Sequence, residues 1–125
     1  MRALSVKQPW ASLIARGAKR IELRTWATEY RGPLLICASQ SASREGLQHY
    51  ADGPREVALC IVDLVDCRPS KRRDSVAAYC KPDREHYSWT LENVRAVPHV
   101  PVCGSLGLFK PPVDLTFYIG ASCPS

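Results

Sequence analysis

The sequence predicts an α+β fold, in which short strands form a small mixed or antiparallel β-barrel with two or three short helices. Strand-like segments recur along the chain, and the helical segments between them are brief. No spacing is long enough for the strand–helix–strand units of a doubly wound sheet. The chain of 125 residues, 46% of them hydrophobic, is sufficient for one core and too short for two.

The first predicted elements are a strand and a helix. The strand covers residues 3–6, with Leu4 and Val6 on one face. Pro9 suits the first helical position, where its missing N–H has no cost. Gly17 suits the position after the helix, because glycine accepts a positive φ without a Cβ clash. The apolar stripe of this short helix consists of Trp10, Leu13 and Ile14.

A charged strand is predicted next, at residues 19–24. Strand periodicity turns its two aliphatic side chains toward the core and places Arg20, Glu22 and Arg24 on the opposite face. Lys19, the first residue of this segment, lies at the turn, so strand parity does not fix its direction. The polar loop that follows contains Trp26, Tyr30 and Arg31.

The later elements are four strands, a polar loop or lid at residues 39–54, and short helical turns. The strands are predicted at residues 33–39, 55–67, 86–97 and 104–109, and the helical turns begin at Ser43 and Ser75. Both faces of the second of these strands are apolar, which indicates a central strand covered on both sides. Asp63 on one of those faces needs a partner or an open barrel end, and we favour structural pairing over catalysis. Asn93 interrupts the alternation of its strand and predicts a bulge or a turn.

The segment from residue 8 to residue 33 combines three motifs that resemble one family. Gly17-x-Lys19-x-x-Glu22-x-Arg24 matches the GxKxxExR signature of ASCH domains, the activating-signal-cointegrator homology family. This motif lies between a QPWA motif and a YRGP motif, which also resemble that family. The proline-spaced loop and the Gly-x-Leu-Gly strand before Phe109 are similar to its closing strands.

The resemblance extends over residues 4–109 and implies a barrel similar to the PUA fold, with a cleft beside the signature strand. We therefore expect an ASCH domain at residues 1–110 and a C-terminal tail at residues 111–125. Within the tail, residues 117–119 either add a strand to a sheet edge or belong to a loose segment.

Charge and composition narrow the expected partners. The net charge of +5 and the pI of about 9.0 favour polyanions, although a solvated basic surface would explain them equally well. No apolar run reaches the roughly 18 residues of a membrane span, and no signal-peptide core is present, so we expect a cytoplasmic protein without membrane association. The six cysteines form no C-x-x-C motif, and the histidines lack metal-ligand spacing to them. We therefore expect no metal and no cofactor, and the sequence assigns no oligomeric state.

The first functional hypothesis is a binding domain for nucleic acid, RNA before DNA, as the resemblance implies. Single-stranded RNA or a modified nucleotide would lie in the cleft, where Arg24 offers planar donors and Lys19 a mobile charge. Aromatic rings would stack on bases, although Trp10 is more simply explained as a core residue. Glu22 would orient the cations or accept from a base amino group. The predicted binding residues are Gln8, Trp10, Lys19, Glu22, Arg24, Trp26, Tyr30 and Arg31.

The alternative is a hydrolase that acts on RNA or on a modified nucleoside, as a ribonuclease or an acetylcytidine amidohydrolase. Lys19 would then stabilise an oxyanion or act as a base, and Glu22 would move the proton. The family's amidohydrolase subgroup resembles a G-x-K-x-x-T-x-R variant, and this chain has Glu22 where that variant has threonine. The histidines lie outside the signature, so no acid–base pair for a ribonuclease is apparent. A protein-interaction domain is a third class, and no residue pattern favours it.

Overall fold

Six strands and three short α-helices make up the computed structural model, which describes residues 1–120. The strands are β1 (Arg2–Gln8), β2 (Ile21–Arg24), β3 (Gly32–Ala42), β4 (Ala58–Pro69), β5 (Tyr87–Ala96) and β6 (Leu108–Phe109). The α-helices are α1 (Trp10–Ala15), α2 (Arg44–Leu47) and α3 (Ser75–Ala78). Two 3₁₀ helices cover Arg72–Asp74 and Thr116–Tyr118.

The strands form one mixed sheet in the order β2-β5-β4-β3-β1-β6. β1 and β3 are parallel, and all other neighbouring pairs are antiparallel. The predicted α+β class, with a mixed sheet and a few short helices, is confirmed. The closed barrel is not, because β2 and β6 are edge strands and no backbone ladder joins them within residues 1–120. On the open side of the sheet, a side chain of β2 reaches β1 instead, because Arg24 Nη1 donates to the Ser5 carbonyl at 3.4 Å.

Both faces of the central strands are buried, as the apolar pattern predicts. On β3, Leu34 and Ile36 face one cluster that includes Ile14 of α1, whereas Leu35 and Cys37 face a second cluster. The second cluster is completed by the C-terminal part of the described chain, including Leu115. The sheet is therefore covered by α1 on one face and by the segment after β5 on the other.

The polar features predicted inside strands have structural explanations. Asp63 Oδ1 lies 3.0 Å from Arg95 Nη2, and Asp63 Oδ2 accepts from Asn93 Nδ2 at 3.1 Å. Asn93 has a φ of 56°, and the β4–β5 register shifts beside it between Ile61 and Asp63. The structural pairing of Asp63 and the irregularity at Asn93 are therefore both confirmed.

The C-terminal elements differ from expectation in two places. The predicted strand at residues 104–109 shrinks to Leu108–Phe109, and residues 116–118 form a 3₁₀ helix rather than an edge strand. Residues 121–125 of the predicted tail lie outside the described residues, and the predicted domain boundary at residue 110 stays a prediction.

None of the helices within residues 1–120 has the length and apolar character needed to cross a bilayer.

Candidate functional site

A cleft of about 680 Å³ opens on the side of the sheet that lacks a backbone ladder. One wall is the signature strand β2 with the loop after it, and the other wall is formed by β1, the distal part of β3 and the loop after Val102. Most of the sequence-predicted site residues line this cleft, namely Trp10, Lys19, Glu22, Arg24 and Trp26.

The turn after α1 places Lys19 in the wall. Gly17 has a φ of 78°, and the N–H groups of Ala18 and Lys19 both donate to the Leu13 carbonyl, at 3.0 and 3.1 Å. This turn places the Lys19 ammonium 5.2 Å from the centroid of the Trp10 ring, a cation–π distance.

Lys19 is a fixed cation rather than the mobile charge expected from the sequence. Its side chain is 1% exposed. The ammonium donates to the Ala78 carbonyl and lies 3.5 Å from Glu22 Oε1. These acceptors and the Trp10 ring occupy its surroundings, so Lys19 compensates a buried carboxylate and anchors α3 to the signature segment.

Glu22 joins the two cations of the signature. Oε1 faces Lys19, and Oε2 accepts from Arg24 Nη1 at 3.3 Å. The Glu22 side chain is 7% exposed, and a carboxylate at that depth is tolerated only when it is paired. Of the roles considered for Glu22, the geometry matches the one that orients the two cations.

Arg24 is the member of the cluster that remains open to the cleft. Its side chain is 24% exposed. Nη1 serves Glu22 and the Ser5 carbonyl through long bonds of 3.3 and 3.4 Å. Within residues 1–120 its Nε and Nη2 have no hydrogen-bond acceptor, and Cζ lies 5.8 Å from the centroid of the Trp26 ring. A guanidinium held at one corner in this way can offer its free edge to a phosphate or a base.

The two tryptophans in the cleft are partly exposed and supported from behind. The Trp26 ring meets Trp89 edge to face, with centroids 4.8 Å apart and an angle of 83°. Trp89 Nε1 also donates to the Trp26 carbonyl at 3.3 Å. Trp10 is half-buried on α1, so it combines the core role preferred from the sequence with an edge that lines the cleft. The Trp26 ring is therefore held in place by Trp89, and both rings are partly exposed to the cleft.

Three predicted site residues have contacts away from the cleft. Gln8 is fully buried, where its Oε1 accepts from Ser12 N at 3.0 Å and its Nε2 donates to the Pro54 carbonyl at 2.8 Å. It satisfies a free N–H in the first turn of α1, in the way that capping side chains do. The hydroxyl of Tyr30 donates to the Pro33 carbonyl. Arg31 Nη1 donates to the Thr28 and Tyr30 carbonyls at 2.9 Å each, so this arginine braces its own loop.

Other lining residues are absent from the sequence-based set. They are Ser5 and Lys7 of β1, Leu23 and Thr25 on either side of Arg24, Ser39–Ser41 of β3, Glu56, Cys80, His86 and residues 103–107. Lys7 could have been found, because it shares a parity with Ser5 opposite to the apolar Leu4 and Val6. His86 gives no local signal, and only β2–β5 pairing brings it near the signature strand. Its Nδ1 accepts from Asp83 N at 2.8 Å.

The electrostatics of the cleft are mildly positive. Three cations line it, Lys7, Lys19 and Arg24, against two carboxylates, Glu22 and Glu56, which leaves a formal charge of +1 with His86 neutral. Burial raises the pKa of the Cys80 thiol at the edge of the cleft, so this thiol stays protonated and is a poor nucleophile. No group of three or more potential metal ligands is found within residues 1–120.

Comparisons with known proteins identify the relatives of this chain. The family model described as "ASCH domain" matches residues 4–101. Activating signal cointegrator 1 of Homo sapiens is 39% identical over 85 residues, and the match covers 55% of this chain and 15% of that protein. Activating signal cointegrator 1 of Mus musculus is 38% identical over 85 residues, with the same coverage of 55% and 15%. The match thus spans only a small part of each of these relatives.

Proposed function

This chain belongs to the ASCH domain family, and we propose that it binds single-stranded RNA, or a modified nucleotide within such a strand, in the cleft beside the signature strand. The observation that carries the proposal is the partly exposed guanidinium of Arg24, fixed at one corner and free along one edge inside the cleft. The volume of about 680 Å³ lies within the range of small-ligand sites. We further propose that this binding takes place in the cytoplasm.

The charges of the cleft favour a nucleotide over a bare polyanion. A formal charge of +1 suits a single phosphate, whereas Glu22 and Glu56 would repel a run of phosphates packed into the same space. The half-buried rings of Trp10 and Trp26 supply apolar surface for a base. Base–aromatic stacking contributes about 1–3 kcal/mol per base. Arg24 would hold the phosphate or a base edge, and the tryptophans would hold the base.

The depth of the cleft favours a single strand, because a base must leave its stack to enter a concave site. The polar lining favours RNA over DNA. Ser5, Thr25, Ser39, Ser41 and Ser105 contribute hydroxyl-bearing residues to it. Hydroxyl groups both donate and accept, so they suit the 2′-hydroxyl that distinguishes ribose from deoxyribose.

Lys19 and Glu22 hold Arg24 in place in this proposal and perform no chemistry. Their functional groups face each other at 3.5 Å, and the ammonium also donates to the Ala78 carbonyl. An acid–base pair for hydrolysis would need to reach the substrate, and this pair is turned toward itself and the wall. Hydrolysis of RNA or acetylcytidine is therefore an outcome that the test below must exclude.

Binding of a labelled single-stranded RNA octamer, measured by fluorescence anisotropy at several salt concentrations, tests the proposal. We expect Arg24→Ala to weaken binding roughly tenfold to a hundredfold, because hydrogen bonds to charged groups contribute about 1.5–3 kcal/mol. It should also reduce the slope of log K against log salt by about 0.7, the single-strand value for one phosphate. Arg24→Lys should restore the slope but not the full affinity, since lysine lacks the planar fork.

Lys110→Ala is the matched control, because Lys110 is exposed and does not line the cleft. The proposal fails if Arg24→Ala binds RNA as the unmodified chain does, or if binding is independent of salt. A DNA octamer of the same sequence should bind more weakly. If the protein cleaves the labelled RNA or deacetylates acetylcytidine, and Glu22→Gln abolishes that activity, the function is hydrolysis and not binding alone.

A further inference from the structure

A second hollow of about 470 Å³ lies beside the cleft. Cys80 lines both cavities, so the two are neighbours that share a wall residue. The hollow also contains the side chains of Tyr50 and Tyr79 and two exposed cations, Arg20 and Lys81. Unlike the cleft, it has no carboxylate among its lining residues within residues 1–120. Aromatic rings with cations and no anion are the combination that non-specific single-strand binders use.

A row of aromatic rings connects the cleft to this hollow. The Trp10 and Tyr50 ring centroids lie 6.0 Å apart, and those of Tyr50 and Tyr79 lie 5.4 Å apart. Trp10 lines the cleft, and both tyrosines line the hollow. All three side chains are partly exposed. The row therefore presents aromatic surface from one cavity to the next.

The chain fixes the two tyrosines relative to the cluster of Lys19, Glu22 and Arg24 in the cleft. Tyr79 follows α3 and has a φ of 62°, a conformation that bulky residues rarely adopt. The end of α3 is attached to the signature segment twice, because Lys19 Nζ donates to the Ala78 carbonyl and Arg20 N donates to the Ala77 carbonyl at 2.9 Å.

Tyr50 is fixed from the other side. Its N–H donates to the Gly46 carbonyl at 2.9 Å. A Cβ on Gly46 would lie 2.8 Å from the Trp10 ring, so only glycine lets α2 pack this closely. Trp10 and Lys19, which both line the cleft, therefore also contact the segments that carry the two tyrosines of the hollow.

We propose that this hollow is a second nucleotide subsite, which takes the neighbouring nucleotide of the strand held in the cleft. A base would lie against Tyr50 and Tyr79, and the phosphates beside it would face Arg20 and Lys81. The inference rests on the proposed function and deepens it: the ligand is an oligonucleotide that spans two cavities, not an isolated nucleotide. Lys19 then acts as the positioning residue of both subsites.

A length series tests this inference. The affinities of uridine monophosphate and of single-stranded uridine oligomers of two, four and eight nucleotides are measured on the full chain by competition. We expect the tetramer to bind on the order of tenfold or more tightly than the monophosphate, in line with the gain from one further stacked base. Tyr79→Leu should remove most of this gain and leave the affinity for the monophosphate unchanged. Tyr79→Phe, which keeps the ring, should retain the gain.

The cations of the hollow are tested separately. The double variant Arg20→Ala/Lys81→Ala should reduce the salt slope of the tetramer by about 1.4, because each neutralised phosphate contributes about 0.7 in single strands. The salt slope for uridine monophosphate should be the same in the double variant as in the unmodified chain, and Lys110→Ala should alter neither slope. Thermal unfolding of every variant checks that differences in binding are not differences in folding.

The outcomes separate the subsite from the proposed function. If the tetramer binds no more tightly than the monophosphate, or if the gain survives Tyr79→Leu, the second subsite is wrong while Arg24-dependent binding stands. If Arg24→Ala affects neither ligand but Tyr79→Leu weakens the tetramer, the hollow binds RNA and the proposed function of the cleft is wrong. Absence of binding by every oligomer contradicts both.

Discussion

Two ionic clusters in this domain use the same chemical groups to different ends. The signature cluster consists of Lys19, Glu22 and Arg24 and lines the cleft. The Asp74 cluster consists of Arg68, Asp74 and Ser88 and joins the last residues of β4 to the first residues of β5; none of the three lines the cleft. Each cluster contains a buried carboxylate and a partly exposed guanidinium.

The clusters differ in what remains unpaired. Both terminal nitrogens of Arg68 donate to Asp74 at 2.8 Å, and the same carboxylate accepts from Lys71 N and Ser88 Oγ at 2.8 Å. Arg24 gives one nitrogen to two acceptors beyond 3.2 Å and keeps an edge free toward a cavity. Saturation marks a cluster that stabilises the fold, and free donors facing a cavity mark one available to a ligand. Arg68 and Arg24 are similarly exposed, at 29% and 24%, so exposure alone does not distinguish them.

The largest effect on stability is expected at Asp74, whose carboxylate accepts from Arg68, Lys71 N and Ser88 Oγ. Asp74→Ala should lower the free energy of unfolding by about 4 kcal/mol, because it leaves a guanidinium, a hydroxyl and a backbone N–H without their acceptor. Urea unfolding followed by circular dichroism measures the change. Asp66→Ala is the matched control, since Asp66 lies 3.9 Å from Arg68 Nε and its side chain is 53% exposed. Equal midpoints for the two variants would show that the saturated cluster stabilises nothing.

A slightly smaller loss is expected for the buried cation of the signature. Lys19→Met should destabilise the domain by about 3 kcal/mol, because Glu22 loses one partner at depth but retains Arg24. The double variant Lys19→Met/Glu22→Leu should recover most of that loss in the same urea experiment, since replacing both charges leaves no unpaired ion. Arg20→Met, at an exposed neighbouring position, should change little. A double variant less stable than the single would contradict this account.

The stability of the domain should depend on pH through the Asp74 carboxylate, and this effect should be smaller than that of removing the side chain. Hydrogen bonds from Arg68 in the first place, with Lys71 N and Ser88, hold the pKa of Asp74 well below its ordinary 3.8. A lowered folded-state pKa means that the stabilisation is complete above about pH 4 and is lost as the pH falls through the folded value. Melting temperatures between pH 7 and pH 2 should therefore fall more steeply in the unmodified chain than in Asp74→Asn. Parallel curves would refute the assignment.

The smallest effect on stability is expected for Arg24, where the effect on binding is large. Arg24→Ala should cost less than about 1 kcal/mol of unfolding free energy, as partly exposed ion pairs do. The same variant should lose roughly tenfold to a hundredfold in RNA affinity. Calorimetry and anisotropy on one preparation give both values. A stability loss as large as that of Asp74→Ala would erase the contrast between the clusters.

Local pattern predicted much of the fold. The apolar stripe from Trp10 to Ile14, the end of the helix at Gly17 and the two-sided burial of β3 and β4 all follow from spacing within one element. Closure of the predicted barrel is not confirmed, since the sheet stays open between β2 and β6. Closure depends on how the two edges of the sheet meet, which no single strand encodes.

The cleft was expected from the family resemblance and not from local spacing, whereas the meeting of its three signature side chains is a local feature. Lys19, Glu22 and Arg24 are close in sequence, so their meeting needed only one turn and one short strand. Gln8 was included through its motif, and the structure shows its amide occupied by Ser12 and Pro54. His86 and residues 103–107 reach the cleft only through pairing of distant strands and therefore gave no local signal.

The sequence by itself determined the elements and the family, because periodicity, turn residues and the GxKxxExR spacing act over a few neighbouring residues. Tertiary structure alone decided which charged side chains are buried in ion pairs and which remain accessible from the cleft. Burial of Lys19 against the Ala78 carbonyl, 59 positions away, makes it part of the wall, whereas the partial exposure of Arg24 leaves its guanidinium accessible from the cleft. The difference is one of desolvation, which depends on what the whole chain packs around each charge.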